Sequence, residues 1–177
     1  MKNILIQFDI YLSRENLTFE AVVIGGAALI LTGAARRTTN DVDCLAPEIP
    51  AAVKAAARDF ALANPALELD TEWLNNGPAS LTEDLPKGWA ERTAPLFEGT
   101  ALRLRTLGRL DLLRTKLFAY CDRQQDFGDC LALAPTDEEL SECRTWVEAR
   151  DAHPDWPAHV MVSFGALRER LNHGPNR

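Results

Sequence analysis

A short apolar run that ends at two adjacent glycines is the feature that most limits the folds open to this chain. Residues 19–24 (FEAVVI) are rich in apolar and β-branched side chains, and Gly25-Gly26 follow directly. Six residues are too few for a helix, and glycine commonly ends such runs. The pattern therefore predicts a buried strand that turns at once into a helix over 27–31. Because a buried strand needs neighbouring strands, the chain is expected to contain a sheet.

The other patterns along the chain predict an α/β (α+β) fold, in which a small mixed sheet with flanking helices is followed by a helical C-terminal part. Apolar residues at helical spacing and short alternating runs supply the remaining elements of the first part. We expect helices over 2–14 and 49–63, strands over 41–45 and 100–105, and an irregular connection over 75–95. Beyond Gly108 only helical patterns occur, namely from 108 to about 121, over 126–133, from 136 to 150 and over 158–171. The predicted domains are thus an α/β core, residues 1–106, and a helical part packed on it, residues 107–177.

One helix start in the C-terminal part carries a specific signature. Thr136-Asp-Glu-Glu139 has the spacing of a capping box, in which the threonine hydroxyl and the glutamate each accept a backbone N–H. Leu140, Cys143 and Val147 then follow at helical spacing. We expect a helix that begins at this box and turns these three side chains inward.

Composition and charge exclude several classes of protein. With 177 residues, 46% of them hydrophobic and 25% charged, the chain has the composition of one globular unit. Nineteen basic and 26 acidic residues give a net charge of −7, which argues against a protein that coats duplex DNA. The longest apolar stretches, such as 21–31, reach about half of the ~20 residues that a membrane span needs, and the N-terminus lacks a signal-peptide pattern. We expect a cytoplasmic protein with no membrane partner.

The four cysteines form no pattern of a metal or disulfide site. They stand at 44, 121, 130 and 143 without a CxxC pair, and the three histidines lie late in the chain. This spacing argues against structural zinc. We expect four reduced thiols that pack as small apolar side chains.

An acid pair follows the glycine turn after fourteen intervening residues. Asp41 and Asp43 are two apart, so in a strand both carboxylates point to the same face. Like charges side by side are costly unless a cation lies between them, and Mg²⁺ or Mn²⁺ prefers oxygen ligands. Gly25-Gly26 leave the backbone amides at a helix start open to an anion such as a triphosphate. The alternatives are an ordinary tight turn and a solvated strand edge.

A second group of candidate residues lies in the helical part. Lys116 borders the apolar face of its helix and is placed to reach a phosphate, or else it snorkels at the helix edge. Asp126 and Asp129 are candidate site acids, with a simple helix N-terminus as the alternative. Residues 103–123 hold six basic and two acidic side chains. This basic excess is either a solvated face or a guide for a nucleotide or a tRNA-like backbone.

These motifs resemble a known superfamily. The segments 22–29 (VVIGGAAL) and 37–43 (RTTNDVD) are similar to the opening of the nucleotidyltransferase superfamily, which has the polymerase beta-like fold. The branch they resemble most contains the abortive-infection nucleotidyltransferase toxins and their small relatives. Residues 112–133 are similar to the second signature of that branch, a lysine on a helix followed by Asp-x-x-Asp.

The resemblance implies a nucleotidyltransferase fold and metal-dependent transfer of a nucleoside monophosphate from an NTP to an acceptor. By the resemblance, Gly25, Gly26, Arg37, Thr39 and Lys116 would bind the nucleotide. Asp41 and Asp43 would hold Mg²⁺ or Mn²⁺, Lys116 would contact phosphate, and Asp126 would complete the site with Asp129 as the alternative. The implied partners are an NTP, an RNA or tRNA acceptor and a cognate antitoxin protein.

The superfamily's usual third carboxylate has no match on the predicted strand 100–105, which offers only Arg103 and Arg105. Asp126 or Asp129 would replace that acid in an active enzyme. The alternative function is a catalytically degenerate module of the same fold that binds a nucleotide or a partner. A third possibility is a structural domain whose acids are surface features.

Overall fold

A computed structural model describes residues 1–36 and 38–173. Within them the strands are β1 Phe19–Ile24, β2 Val42–Ala46, β3 Leu74–Asn75, β4 Ala94–Glu98 and β5 Leu102–Thr106. The helices are α1 Lys2–Arg14, α2 Gly25–Leu31, α3 Ala51–Ala63, α4 Arg109–Arg123, α5 Phe127–Leu133, α6 Asp137–Glu148 and α7 Trp156–His173. The predicted fold class, a mixed sheet with flanking helices and then a helical part, is confirmed.

The chain divides into two compact units. The first, Met1–Gly108, contains the sheet and the helices α1 to α3, and the second, Arg109–Arg177, contains the helices α4 to α7. The domain bounds expected from the sequence, 1–106 and 107–177, and the packing of one part on the other stay predictions.

The five strands form one mixed sheet in the order β3-β2-β1-β5-β4. The strand β1 pairs antiparallel with β2 and parallel with β5, while β3 is parallel to β2 and β4 is antiparallel to β5. The strand that ends at the glycine turn is therefore the centre of the sheet. The acid-bearing strand β2 lies on one side of it, and β5 lies on the other.

One face of the sheet forms the core of the first unit. Side chains of α1 and α3 pack there with alternate residues of the strands, among them Val23, Cys44 and Leu104. Trp73 is part of this core and is fully buried, and its Nε1 donates to the Ala57 carbonyl at 3.0 Å. Because side chains alternate along a strand, the opposite face carries the polar residues. They include Asp43 on β2 and Arg103 and Arg105 on β5.

The strand boundaries differ from the sequence prediction at two places that affect the site. The strand β2 begins at Val42, so Asp41 lies just ahead of it and not within it. The segment 75–95 was predicted as irregular, but it contains Asn75 of β3 and the first residues of β4. The strand β3 has only two residues, and β4 is an edge strand with Pro95 inside it, so neither has a strong local pattern.

The second unit confirms the capping box. Thr136 Oγ1 accepts the Glu139 amide at 3.2 Å, and Glu139 Oε2 accepts the Thr136 amide at 2.9 Å. Leu140, Cys143 and Val147 are buried on the inner side of α6, as predicted. The helix ends at Glu148, two residues earlier than expected.

The four cysteines are free and buried, in agreement with the sequence prediction. Burial raises the pKa of Cys44 to about 12, and the negative charge of Asp43 adds to this effect. Burial likewise raises the pKa of Cys121 to about 11 and keeps both thiols protonated. Within residues 1–36 and 38–173, no helix is both long and apolar enough to cross a membrane.

Asp9 on α1 fastens this helix to the turn between β4 and β5. Its carboxylate accepts the backbone N–H groups of Thr100 at 3.2 Å, Ala101 at 2.8 Å and Leu102 at 2.7 Å. Burial raises the pKa of the Asp9 carboxyl, but the three N–H donors outweigh this and hold the pKa below its usual range.

Replacing Asp9 with asparagine should lower the free energy of unfolding at neutral pH by about 1–3 kcal/mol, because the amide cannot accept all three N–H groups. The folded-state pKa is lowered, so the stabilisation is present above the ordinary pKa and is lost as the pH falls through the folded-state value. Urea unfolding of wild type and variant should therefore show a difference that narrows from about pH 7 toward about pH 2. Asp59→Asn, at an exposed position on α3, is the control. A difference independent of pH would contradict the prediction.

Candidate active site

The glycine turn and Asp43, the second acid of the pair, meet through the register of the central strands. Ile24, the last residue of β1, lies opposite Asp43 of β2, and Gly25 follows Ile24 with φ +73°. A Cβ atom on Gly25 would overlap Asp43 Oδ2. The carboxylate of Asp43 therefore lies directly against the backbone of the turn. Only glycine satisfies both the left-handed conformation and this close approach.

Asn75 lies beside Asp43 on the other neighbouring strand. The two residues are opposite each other in the parallel pairing of β2 and β3, and Asn75 Nδ2 donates to Asp43 Oδ1 at 3.3 Å. Asn75 Oδ1 in turn accepts the Gly77 amide at 2.8 Å, which orients the side chain. The sequence predictions did not include Asn75 among the site residues. The signal available was the pair Asn75-Asn76 after the apolar residues Trp73 and Leu74, but a two-residue strand gives no periodicity.

Asn76 holds the chain that leaves β2. Its Nδ2 donates to the Cys44 and Pro47 carbonyls, each at 3.1 Å, and its Oδ1 accepts the Ile49 amide at 2.8 Å. The consecutive residues Asn75 and Asn76 thus have different structural roles. Asn75 contacts the acid itself, and Asn76 fixes the backbone that follows it.

The other predicted residues near the acid pair are placed as follows. Asp41 is exposed, and its amide donates to Thr39 Oγ1 at 3.4 Å, while Thr39 is half-buried. Gly26 is buried in the first turn of α2. Arg37 lies outside the described residues.

The oxygen donors available fit one kind of metal site. In the part of the chain that the structure describes, no group of three or more His, Cys, Asp or Glu residues is arranged to hold a metal ion. Mg²⁺ commonly takes only one or two carboxylates and completes its shell with substrate phosphates and water. Asp41 and Asp43 are two carboxylates, the number that such a metal takes when it is bound together with a nucleotide, and their binding of a metal stays a prediction.

The second predicted group is a buried ion cluster in the helical unit. Lys116 on α4 is 6% exposed, and its Nζ donates to Asp126 Oδ1 at 3.0 Å and to Asp129 Oδ2 at 2.7 Å. Arg123 also approaches Asp126, at 3.6 Å. The alternative of a lysine that snorkels to the helix edge is wrong, because the charge is buried between two carboxylates. Its role at a phosphate stays a prediction.

The basic excess at 103–123 does not form one positive patch. Four of the six side chains, all on α4, are paired with carboxylates of the second unit. They are Arg109 with Glu139, Arg114 with Asp111 and Glu142, Lys116 with Asp126 and Asp129, and Arg123 with Asp126. Arg103 and Arg105 on β5 have no ion pair with any carboxylate among the described residues. The local charge counted along the sequence is thus largely neutralised in space.

Comparison with known proteins gives one match. The family model described as a nucleotidyltransferase of unknown function (DUF6036) matches residues 3–134 of the 177. The matched region contains Gly25, Asp43 and Asn75 and continues through the Lys116 cluster to the end of α5. Neither the curated proteins nor the solved structures gave a match.

Proposed function

The chain belongs to this family of nucleotidyltransferases of unknown function, and we propose that it transfers a nucleoside monophosphate from a metal-bound NTP to an acceptor. The observation that carries the proposal is the contact between the turn and the acid. Asp43 lies against the backbone of Gly25, where a Cβ atom would displace it. Gly25 adds no side chain of its own beside this carboxylate, which supports the binding of a phosphate and its metal at the turn.

The residues of this chain have distinct tasks in the proposed reaction. Asp43 and Asp41 would hold Mg²⁺ or Mn²⁺, which would neutralise the phosphate charge that grows during transfer. Asn75 orients Asp43 through its amide, and Gly25 and Gly26 leave the backbone of the turn accessible. An acceptor hydroxyl oxygen bonds to the α-phosphorus, and the bond from that phosphorus to the β-phosphate oxygen breaks. Pyrophosphate leaves, and the hydroxyl proton passes to solvent.

Lys116 is proposed to contact phosphate, with Asp126 or Asp129 completing the site. A lysine ammonium has three N–H donors, and two of those on Lys116 are used by the two carboxylates. The third donor is compatible with a phosphate oxygen while both ion pairs are kept. This part of the proposal draws on the resemblance of residues 112–133 and not on a contact with the turn.

The acceptor is proposed to be RNA, with tRNA as the specific candidate, and the activity to be restrained by a cognate antitoxin protein. Both proposals rest on the resemblance to the branch of abortive-infection nucleotidyltransferase toxins. The alternative function is a degenerate module that binds a nucleotide or a partner without turnover. Asn75 favours that alternative, because the side chain that contacts Asp43 from β3 is a neutral amide and adds no further carboxylate to the site.

Asp43→Asn should reduce transfer of label from NTPs to total RNA, with Mg²⁺ present, by on the order of 100-fold. The amide keeps the shape of the side chain but removes the charge that holds the metal. Asp41→Ala should also lower the rate, and the exposed Asp59→Asn on α3 should leave it unchanged. Nucleotide binding without transfer by the wild type would favour the degenerate module. Absence of both binding and transfer would contradict both functions.

A further inference from the structure

Arg105 lies on the same face of the sheet as Asp43. Along β5 the side chains of Leu102 and Leu104 point into the core, so Arg103 and Arg105 point to the opposite face. In the parallel pairing Arg105 lies beside Val22, two residues before the end of β1. Its strand is therefore next to the one that ends at the glycine turn.

Two hydrogen bonds bring the guanidinium of Arg105 to the end of the sheet where the turn lies. Its Nε donates to Thr93 Oγ1 and its Nη2 to the Thr93 carbonyl, both at 2.8 Å. Thr93 precedes Ala94, which pairs with Thr106, and Thr106 pairs with Val23. Continuing this register, Thr93 is level with Ile24, which lies opposite Asp43.

Hydrogen bonds fix the position of the Arg105 guanidinium, but no carboxylate among the described residues neutralises its positive charge. Both of its hydrogen-bond partners are neutral atoms of Thr93, and these bonds use two of the five guanidinium N–H donors. Among the described residues, no carboxylate is within ion-pair distance of Arg105, although the side chain is half-buried. The arginines of α4 differ in this respect, since Arg109 and Arg114 are paired. A fixed guanidinium with free donors and no counter-ion is well suited to bind a phosphate.

The spacing of the strands restricts which phosphate this is. From β2 through β1 to β5 there are two strand spacings, roughly 10 Å, between the backbones that carry Asp43 and Arg105. Arg105 thus lies across β1 from the acid, and its bonds to Thr93 turn the guanidinium toward the β4 side of β5. A phosphate bound there is farther along the substrate than the one bound with the metal. That phosphate is either the far end of the NTP triphosphate or a backbone phosphate of the acceptor.

We infer that Arg105, held by Thr93, is a substrate-phosphate-binding residue across β1 from Asp43. This role deepens the proposed function and rests on it. Arg103 has no part in it, because it is exposed and lies between Glu20 of β1 and Glu98 of β4 in the strand pairing. Arg103 therefore supplies a matched control on the same strand and the same face.

The test compares Arg105→Gln and Arg105→Lys with Arg103→Gln, after circular dichroism has verified that each is folded. The Kd values of NTP and NMP are measured with Mg²⁺ and without acceptor, and the KM of total RNA is measured at saturating NTP. Arg105→Gln should raise either the Kd of NTP or the KM of total RNA by on the order of 10-fold. Arg105→Lys should raise the same quantity by less, and Arg103→Gln should change it by less than about twofold. A loss of NTP affinity without a loss of NMP affinity identifies the triphosphate, and a raised KM for RNA alone identifies the acceptor.

Thr93→Val is a second variant that keeps the charge of Arg105 and removes the hydroxyl that accepts from Nε. It should give a smaller change in the same quantity as Arg105→Gln, and it keeps the test valid if Arg105→Gln does not fold.

Equal values for the Arg103 and Arg105 variants would overturn the role of Arg105, while wild-type transfer would still support the proposed function. A wild type that transfers no label but binds NTP through Arg105 would overturn the proposed transfer and leave the phosphate site in place. A wild type that binds neither NTP nor RNA would overturn both.

Discussion

Gly25→Ala is expected to lower nucleotidyl transfer by on the order of 100-fold, because the new methyl group displaces Asp43, the carboxylate proposed to hold the metal. A Cβ atom at this position overlaps Asp43 Oδ2, and β1 and β2 leave the strand backbones little freedom to move apart. The left-handed φ of +73° adds a strain of about 1–2 kcal/mol for a residue other than glycine. Transfer of label to RNA and urea unfolding measure the two effects separately.

Gly33→Ala is the matched control for this prediction. Gly33 has φ +78°, close to that of Gly25, but a Cβ atom there meets nothing within 4 Å. The control should lose stability through the same backbone strain and keep its activity, if the proposed function holds. An active Gly25→Ala variant would show that the position of Asp43 against the turn is unimportant for transfer. Equal losses of activity in both variants would assign the effect to strain alone.

Lys116→Met is expected to lower the free energy of unfolding by about 3–5 kcal/mol, since it removes the buried cation that Asp126 and Asp129 share. Asp129 is 5% exposed, and Asp126 is also largely covered, so water cannot replace the lysine fully. The double variant Lys116→Met/Asp129→Asn should recover part of the loss, with a coupling energy of about 0.5–3 kcal/mol. Urea unfolding of the two single variants and the double variant gives this value.

Arg144→Gln is the control for the buried cluster. Arg144 pairs with Glu148 one turn along α6, and its side chain is 42% exposed, so its loss should cost less than about 1 kcal/mol. A Lys116→Met variant that is as stable as Arg144→Gln would contradict the assignment of a buried ion cluster. Loss of transfer by the folded fraction of Lys116→Met would add support for the proposed phosphate contact.

Local sequence patterns were sufficient for some elements of the fold. The strand β1 has the predicted bounds, because a β-branched run followed by two glycines permits few alternatives. The capping box at Thr136 is formed as predicted, since the two hydrogen bonds that define it join residues only three apart in the chain. The start of β2 was predicted one residue too early, because it is set by Val42, whose amide donates to the Trp73 carbonyl at 2.6 Å. That partner is thirty-one residues away in the chain.

In the candidate site too, some residues were predictable from local sequence, whereas others depend on contacts between distant parts of the chain. Gly25 and Asp43 were recognisable from their residue types and order, and the family match covers both. Asn75 was not, because its importance comes from lying opposite Asp43 in a parallel pairing with a two-residue strand. The basic excess of residues 103–123 suggested a positive surface, but most of its charges are paired. A count along the chain does not include the carboxylates of α5 and α6 that pair with basic side chains of α4.

By itself, the sequence determined the helices, the strands β1, β2 and β5 and the glycine turn after β1, because short-range sterics and hydrophobic periodicity act within a few residues. Only the tertiary structure decided which charges are compensated. Lys116 is neutralised by two carboxylates from the next turn and helix, whereas Arg105 has only the neutral atoms of Thr93. Both are basic residues in one stretch of the chain, and they differ because the field at a charge is set by neighbours in space.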